Sequence, residues 1–158
     1  MAVTVKVTGG DKYKRFLDAM SRIAGSVKAG IFEDATNATT GEKIAPYAIY
    51  NEFGTSRIPS RPFMRTVAKS DAPKKWVGGM VRYLKGKAKD PEAWKNALGG
   101  AGEQMAKDIQ DSIQNGNWTP NAPATVKAKA RKGKVEPNHP LIDTGDMLHA
   151  VRSEVFPK

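Results

Sequence analysis

One run constrains this chain more than any other. Between Pro91 and Asn115, Trp94, Ala97, Leu98, Ala101, Met105, Ile109 and Ile113 recur at steps of three and four. That is the period of a helix with one apolar face. Pro91 suits the first turn, and Gly116 follows as a stop. Gly99, Gly100 and Gly102 fall inside the run. They either interrupt the helix or let another backbone approach it closely.

The covering layer reads as a sheet. Val3, Val5 and Val7 alternate with Thr4 and Lys6, the period of a half-buried strand. A helix is expected over Lys12–Ala24, with Tyr13, Phe16, Leu17, Met20 and Ile23 on one face. Val27, Ala29 and Ile31 predict a second strand over residues 26–32. Val151, Ser153 and Val155 predict a last strand returning to the sheet. Further helices are expected from Pro46 to Gly54, from Pro62 or Phe63 to Lys69, and over residues 74–84. The last of these carries Trp76, Met80, Val81 and Leu84 as its apolar face. A short basic helix is expected over residues 125–132. The fold class is α+β: a small mixed or antiparallel sheet packed with two or more helices, with an extended loop and a C-terminal arm. Residues 1–158 are expected to form a single domain. Residues 33–43 read as an exposed loop without core-forming residues, and residues 117–140 as an extended, basic arm segment.

Composition narrows the chemistry. The chain has 26 Lys and Arg against 16 Asp and Glu, a formal charge of +10. Nucleic acid, an anionic membrane surface and an acidic protein partner all fit that excess. With no cysteine and only two histidines, His139 and His149, thiol catalysis and Cys- or His-rich metal sites are not expected. No glycine-rich phosphate loop or Ser/His/Asp set stands out, so neither an enzyme nor a cofactor is expected. The N-terminus lacks the pattern of a signal peptide, and no apolar run approaches the roughly 18–20 residues that span a bilayer. A soluble protein of a reducing compartment is the expectation.

Leu141-Ile142-Asp143-Thr144-Gly145 matches the half-site of an aspartic protease, which needs two such carboxylates sharing a proton. The same residues also suit a plain turn, with Asp143 or Thr144 capping and Gly145 supplying a special backbone angle. Lys127, Lys129, Arg131, Lys132 and Lys134 form a basic cluster. It suits either a phosphate-contacting arm near DNA or a partner-facing segment. No aromatics interleave it, which argues against stacking on single strands.

The densest stretch is residues 45–66, APYAIYNEFGTSRIPSRPFMRT. Tyr47, Tyr50 and Phe53 read as the core face of its helix. Arg57, Arg61 and Arg65 stand four apart around the stiff Pro59–Pro62 segment, and Phe63 follows. Arginine, aromatics and rigid backbone suit a contact surface, so Arg57, Pro59, Arg61, Pro62, Phe63 and Arg65 are the expected interface residues.

Two blocks resemble a known family. Tyr47–Arg65, YAIYNEFGTSRIPSRPFMR, is similar to a block of small tail-component proteins of tailed bacteriophages. These are the lambdoid tail-completion or tail-terminator proteins and the related virion-morphogenesis proteins of Mu-like phages. Trp118–Val151 resembles their C-terminal block, with a helix at Pro123–Lys129 and Pro-Leu-Ile-Asp-Thr-Gly at Pro140–Gly145. The resemblance implies a non-enzymatic virion protein of the phage neck, assembled in the host cytoplasm. It would form a homo-oligomeric ring, commonly hexameric, that completes the tail. Its partners would be the tail tube protein and the head-side connector. It also implies a short sheet with helices on one side and arms reaching to neighbours, and Asp-Thr-Gly as a structural turn. A basic DNA-associated head-completion or packaging protein is the alternative reading.

Overall fold

A computed structural model of the chain describes residues 25–156 apart from 88 and 135. The expected strand at Val3–Val7 and helix at Lys12–Ala24 lie outside the described residues. The described elements are β1 (Ser26–Ile31), α1 (Ile44–Phe53), α2 (Phe63–Lys69), α3 (Ala72–Leu84), α4 (Pro91–Asn115), α5 (Pro123–Arg131), α6 (Asp146–His149) and β2 (Val151–Phe156). This is the expected α+β class.

Helix α4 is unbroken over 25 residues, about 37 Å at 1.5 Å per residue. The Asp90 side chain accepts a hydrogen bond from Glu92 N at 3.0 Å and caps its start. At its end, Ser112 O accepts from Gly116 N (3.0 Å) and from Trp118 Nε1 (2.8 Å). Two donors thus meet one carbonyl of the last turn, where the helix itself supplies none.

β1 and β2 pair antiparallel, from Ser26 opposite Phe156 to Ile31 opposite Val151. α4 crosses this sheet, and Gly102 sets the spacing. A Cβ at Gly102 would stand 2.6 Å from Val27 Cγ2 and 2.9 Å from Ser153 Cβ. The glycine therefore permits close approach rather than breaking the helix. Gly99 and Gly100 face open space.

The main core joins α4 to the sheet, α1, α2 and α6 through Ile44, Ala48, Phe63, Ile109, Ile113, Met147 and Val151. Phe63 and Ile113 are wholly inaccessible. Each such burial stabilises the fold by about 1.5–3 kcal/mol. A second cluster of Leu84, Ala93, Trp94 and Ala97 fastens α3 to the first turns of α4.

Three expectations need correction. On α1 the buried face is Ile44, Ala48 and Glu52; of the three expected aromatics Tyr47 packs against the core, while Tyr50 and Phe53 are 50% and 61% exposed. On α3, Val81 points to solvent. The segment at 33–43 does contribute to the core, because Ala35 packs against it. That loop is also closed on itself by a Thr36–Lys43 bridge. Asn37 Oδ1 accepts from Thr39 N and Thr40 N, while Asn37 Nδ2 donates to Asp146 Oδ2 at 2.7 Å.

Candidate interaction surface

The polar interior of the Tyr47–Arg65 block explains its shape. Helix α2 starts without help from its own sequence: Pro62 stands at its N-cap, and its first turn has no acidic residue. Its orphan N–H groups need an acceptor from elsewhere. Glu52, buried at the end of α1, supplies it. Its carboxylate accepts from Met64 N at 2.9 Å and Arg65 N at 3.0 Å. An anion placed there also faces the positive end of the helix. Arg65 completes the charge balance. Its Nε donates to Glu52 Oε1 at 2.9 Å and its Nη2 to Glu52 O at 2.6 Å. The Arg65 guanidinium stacks 4.5 Å from the centre of the Phe53 ring.

Arg61 ties this block to the chain after α4. Its Nε donates to Thr119 O at 2.8 Å, its Nη2 to Pro120 O at 3.1 Å and its Nη1 to Asn51 Oδ1 at 3.2 Å. Its backbone N donates to Asn51 O at 2.7 Å. Burial pushes the Arg61 pKa down from the ordinary arginine value.

Between these braces runs a tight loop. Gly54 has φ 78°, and a Cβ there would lie 2.9 Å from Ser60 N, so only glycine fits the turn. Thr55 N donates to Ile58 O, and Thr55 Oγ1 accepts from Arg57 N and Ile58 N. Ser60 Oγ donates to Glu52 O.

The six expected interface residues therefore divide. Arg57 and Pro59 project into solvent at the loop tip, Arg65 is half-exposed, and Pro62 is half-buried. Arg61 and Phe63 do not belong on a contact surface of this chain, since they are 5% and 0% exposed and hold its interior together. In their place the surface gains Ile49, Tyr50 and Phe53 of α1. Ile49 and Phe53 line a groove of about 310 Å³ with Ala29, Ile31 and Met64.

The basic cluster divides in the same way. Lys127, Arg131 and Lys132 are exposed, and Lys134 is half-buried. Lys129 turns inward, at odds with a phosphate-facing role. Its Nζ donates to His139 O at 2.9 Å and to Ile142 O. Those two carbonyls flank Leu141, which sits at φ 64° in the left-handed region. Burial lowers the Lys129 pKa. Asn121 Nδ2 bonds Pro137 O and His139 O. The His139 ring bridges Pro140 O and Gln114 O at the end of α4.

The Asp-Thr-Gly loop lies beside this arm. Gly145, at φ 88°, starts α6, while Asp143 is exposed with Oδ2 3.9 Å from Lys132 Nζ. Asp146 is the carboxylate that binds the loop together, through Asn37 and Thr144. Among the described residues no group of three or more His, Asp and Glu side chains could hold a metal ion, and no helix is long and apolar enough to cross a membrane.

One signal for the buried Glu52 was present in the sequence. Residues 44, 48 and 52 share a helix face, and α2 lacks a cap of its own. Nothing comparable marked Lys129 among its neighbours. No family model matches the chain, and neither the curated proteins nor the solved structures contain a significant match.

Proposed function

We propose that this chain is a structural protein of the tailed-phage neck, a tail-completion or terminator ring that joins the tail to the head-side connector. The observation that supports it most is the bracing of the Tyr47–Arg65 block. Glu52, Arg61 and Arg65 hold one loop in a fixed pose, with Arg57 and Pro59 at its tip and Phe53 exposed beside it. A ring closes only when every contact turns the chain by the same angle, and a braced loop suits that requirement. Exposed apolar residues on α1 (Ile49, Tyr50, Phe53) and α3 (Val77, Val81) also suit a protein that works in an assembly.

The test is assembly with Arg57→Glu and Phe53→Ser variants. Both side chains are exposed, so the variants stay folded, and loss of the Phe53–Arg65 stacking lowers the melting temperature of Phe53→Ser only slightly. Electron microscopy of the lysates then shows separate heads and tails. Normal numbers of joined particles from both variants would remove the loop from the contact.

The exposed cations Lys127, Arg131 and Lys132 favour a second reading, a DNA-associated head-completion or packaging protein. It requires duplex binding whose affinity falls steeply with salt. Failure to bind DNA at low salt would dismiss it.

A further inference from the structure

Among the described residues, helix α5 carries little packing of its own. Lys129 is its only buried residue, and no described helix or strand packs broadly against it. A nine-residue helix is too short to persist in water by itself. Its outer face carries small residues, Ala124 and Ala128, beside the exposed cations Lys127 and Arg131. Elsewhere in the molecule lies a surface of the opposite kind. Helices α3 and α4 enclose an open groove of about 830 Å³, bordered by Trp76, Gly79, Gly100, Ala101, Asp108 and Asp111. A Cβ at Gly79 or Gly100 would meet nothing within 4 Å, so the glycines leave room in the groove. Asp108 accepts from Trp76 Nε1 and Gln104 Nε2. Neither Asp108 nor Asp111 pairs with a cation among the described residues. The α3 side carries Lys75 and Arg82, with Asp71 at its start already paired with Lys74, so the unpaired acidic side of the groove is the α4 wall.

We infer that the α3–α4 groove is the seat for α5 of a second copy of this chain. The small face of α5 would enter the glycine-lined groove, with Lys127 and Arg131 set against Asp108 and Asp111. The spacings match, since residues three and four apart on a helix stand about 5–6 Å from one another. A chain cannot fill its own groove in this way. Its α5 is held beyond the C-terminal end of α4 through Lys129, Asn121 and His139. Two complementary surfaces at different places on one rigid chain make a head-to-tail contact, which closes into a ring or runs on as a filament. This inference rests on the ring reading above and names the surfaces that would carry it.

The natural absence of cysteine allows a direct test. Gly100→Cys and Ala128→Cys are each made alone, at positions where the added atoms meet open space or solvent. Under mild oxidation a mixture of the two variants gives a covalent dimer joining one chain of each kind, and either variant alone gives none. The double variant gives a ladder of multimers. A disulfide needs Cα atoms about 4.4–6.8 Å apart, so the bond reports seating rather than collision. A second arm reverses charge. Lys127→Glu with Arg131→Glu removes the ring seen by native mass spectrometry, and adding Asp111→Lys restores it. Rings in the wild type with no mixed disulfide and no effect of charge reversal would overturn this pairing and leave the ring reading standing. A wild-type chain that stays monomeric at every concentration would overturn both.

Discussion

Arg61 and Lys129 make an instructive pair. Each is the inward-facing member of a basic stretch whose neighbours face solvent, and each is bound by carbonyl oxygens rather than by a carboxylate. The difference lies in what those carbonyls belong to. Arg61 uses a flat fork to reach Thr119, Pro120 and Asn51, and so joins the braced loop to the segment leaving α4. The next residue but one is Phe63, wholly buried in the main core. Lys129 makes a point contact to one turn around Leu141, and it is the one buried side chain of a helix that is largely exposed among the described residues. One cation is a fastening of the core and the other a tether for an arm. A basic stretch can therefore hide a structural cation among residues available to a partner.

The largest effect expected from this contrast is at Arg61. Arg61→Ala leaves Thr119 O, Pro120 O and Asn51 without their donor and opens space beside the core. A loss of about 3 kcal/mol in global stability follows, read as a lower denaturation midpoint. A loss below about 1 kcal/mol would erase the distinction between the two regions.

Next is Lys129→Met, which keeps most of the stem and removes the ammonium. About 1–2 kcal/mol is lost, and the loss is local. Amide exchange in α5 and residues 136–142 speeds up while the global midpoint hardly moves. An equal fall in the global midpoint would make the arm part of the core.

The smallest effect belongs to a third cation, Arg152, which pairs with carboxylates in water. Its guanidinium bonds Asp34 at 2.7 Å and Glu154 at 2.7 Å. The hydrogen bond from Arg152 holds Asp34 below its ordinary value of 3.8. The stabilisation is therefore complete above that value and is lost as the pH falls through the lowered folded value. The slight stability difference between wild type and Asp34→Asn should be present at pH 6 and gone in strong acid. A difference that persists in acid would assign the effect to packing rather than charge.

Much of the fold was legible where one-dimensional signals sufficed. Pro91, Gly116 and the three-four spacing of α4 marked a helix that runs as expected, and the alternation at Val151–Val155 marked β2. The turn at Gly145 was readable because a left-handed position favours glycine. The buried face of α1 was not readable from apolar periodicity. That rule ranks Tyr50 and Phe53 above Glu52, and it cannot count a carboxylate as interior until its partners are known. Those partners, Met64 N and Arg65 N, lie 12 and 13 residues away and become acceptable neighbours only once the loop at Gly54 turns back. The candidate surface suffered the same limit. Arg57, Arg61 and Arg65 are chemically identical and evenly spaced, and only their partners in the fold, the carbonyls around Arg61 and Glu52 beside Arg65, separate them.

The capping of α2 by Glu52 also bears on the order of events in folding. Seven residues are far below the length of about 12–15 at which an isolated helix becomes even marginal. α2 therefore does not wait preformed for α1 to arrive. Closing a ten-residue loop takes on the order of 10–100 ns, so the ends of α1 and α2 can sample each other many times before the long-range contacts to α4 and β2 lock. The last turn of α1, the loop and the first turn of α2 then form and open together. The amide protons of Met64 and Arg65 should share one protection factor, set by the opening of the loop.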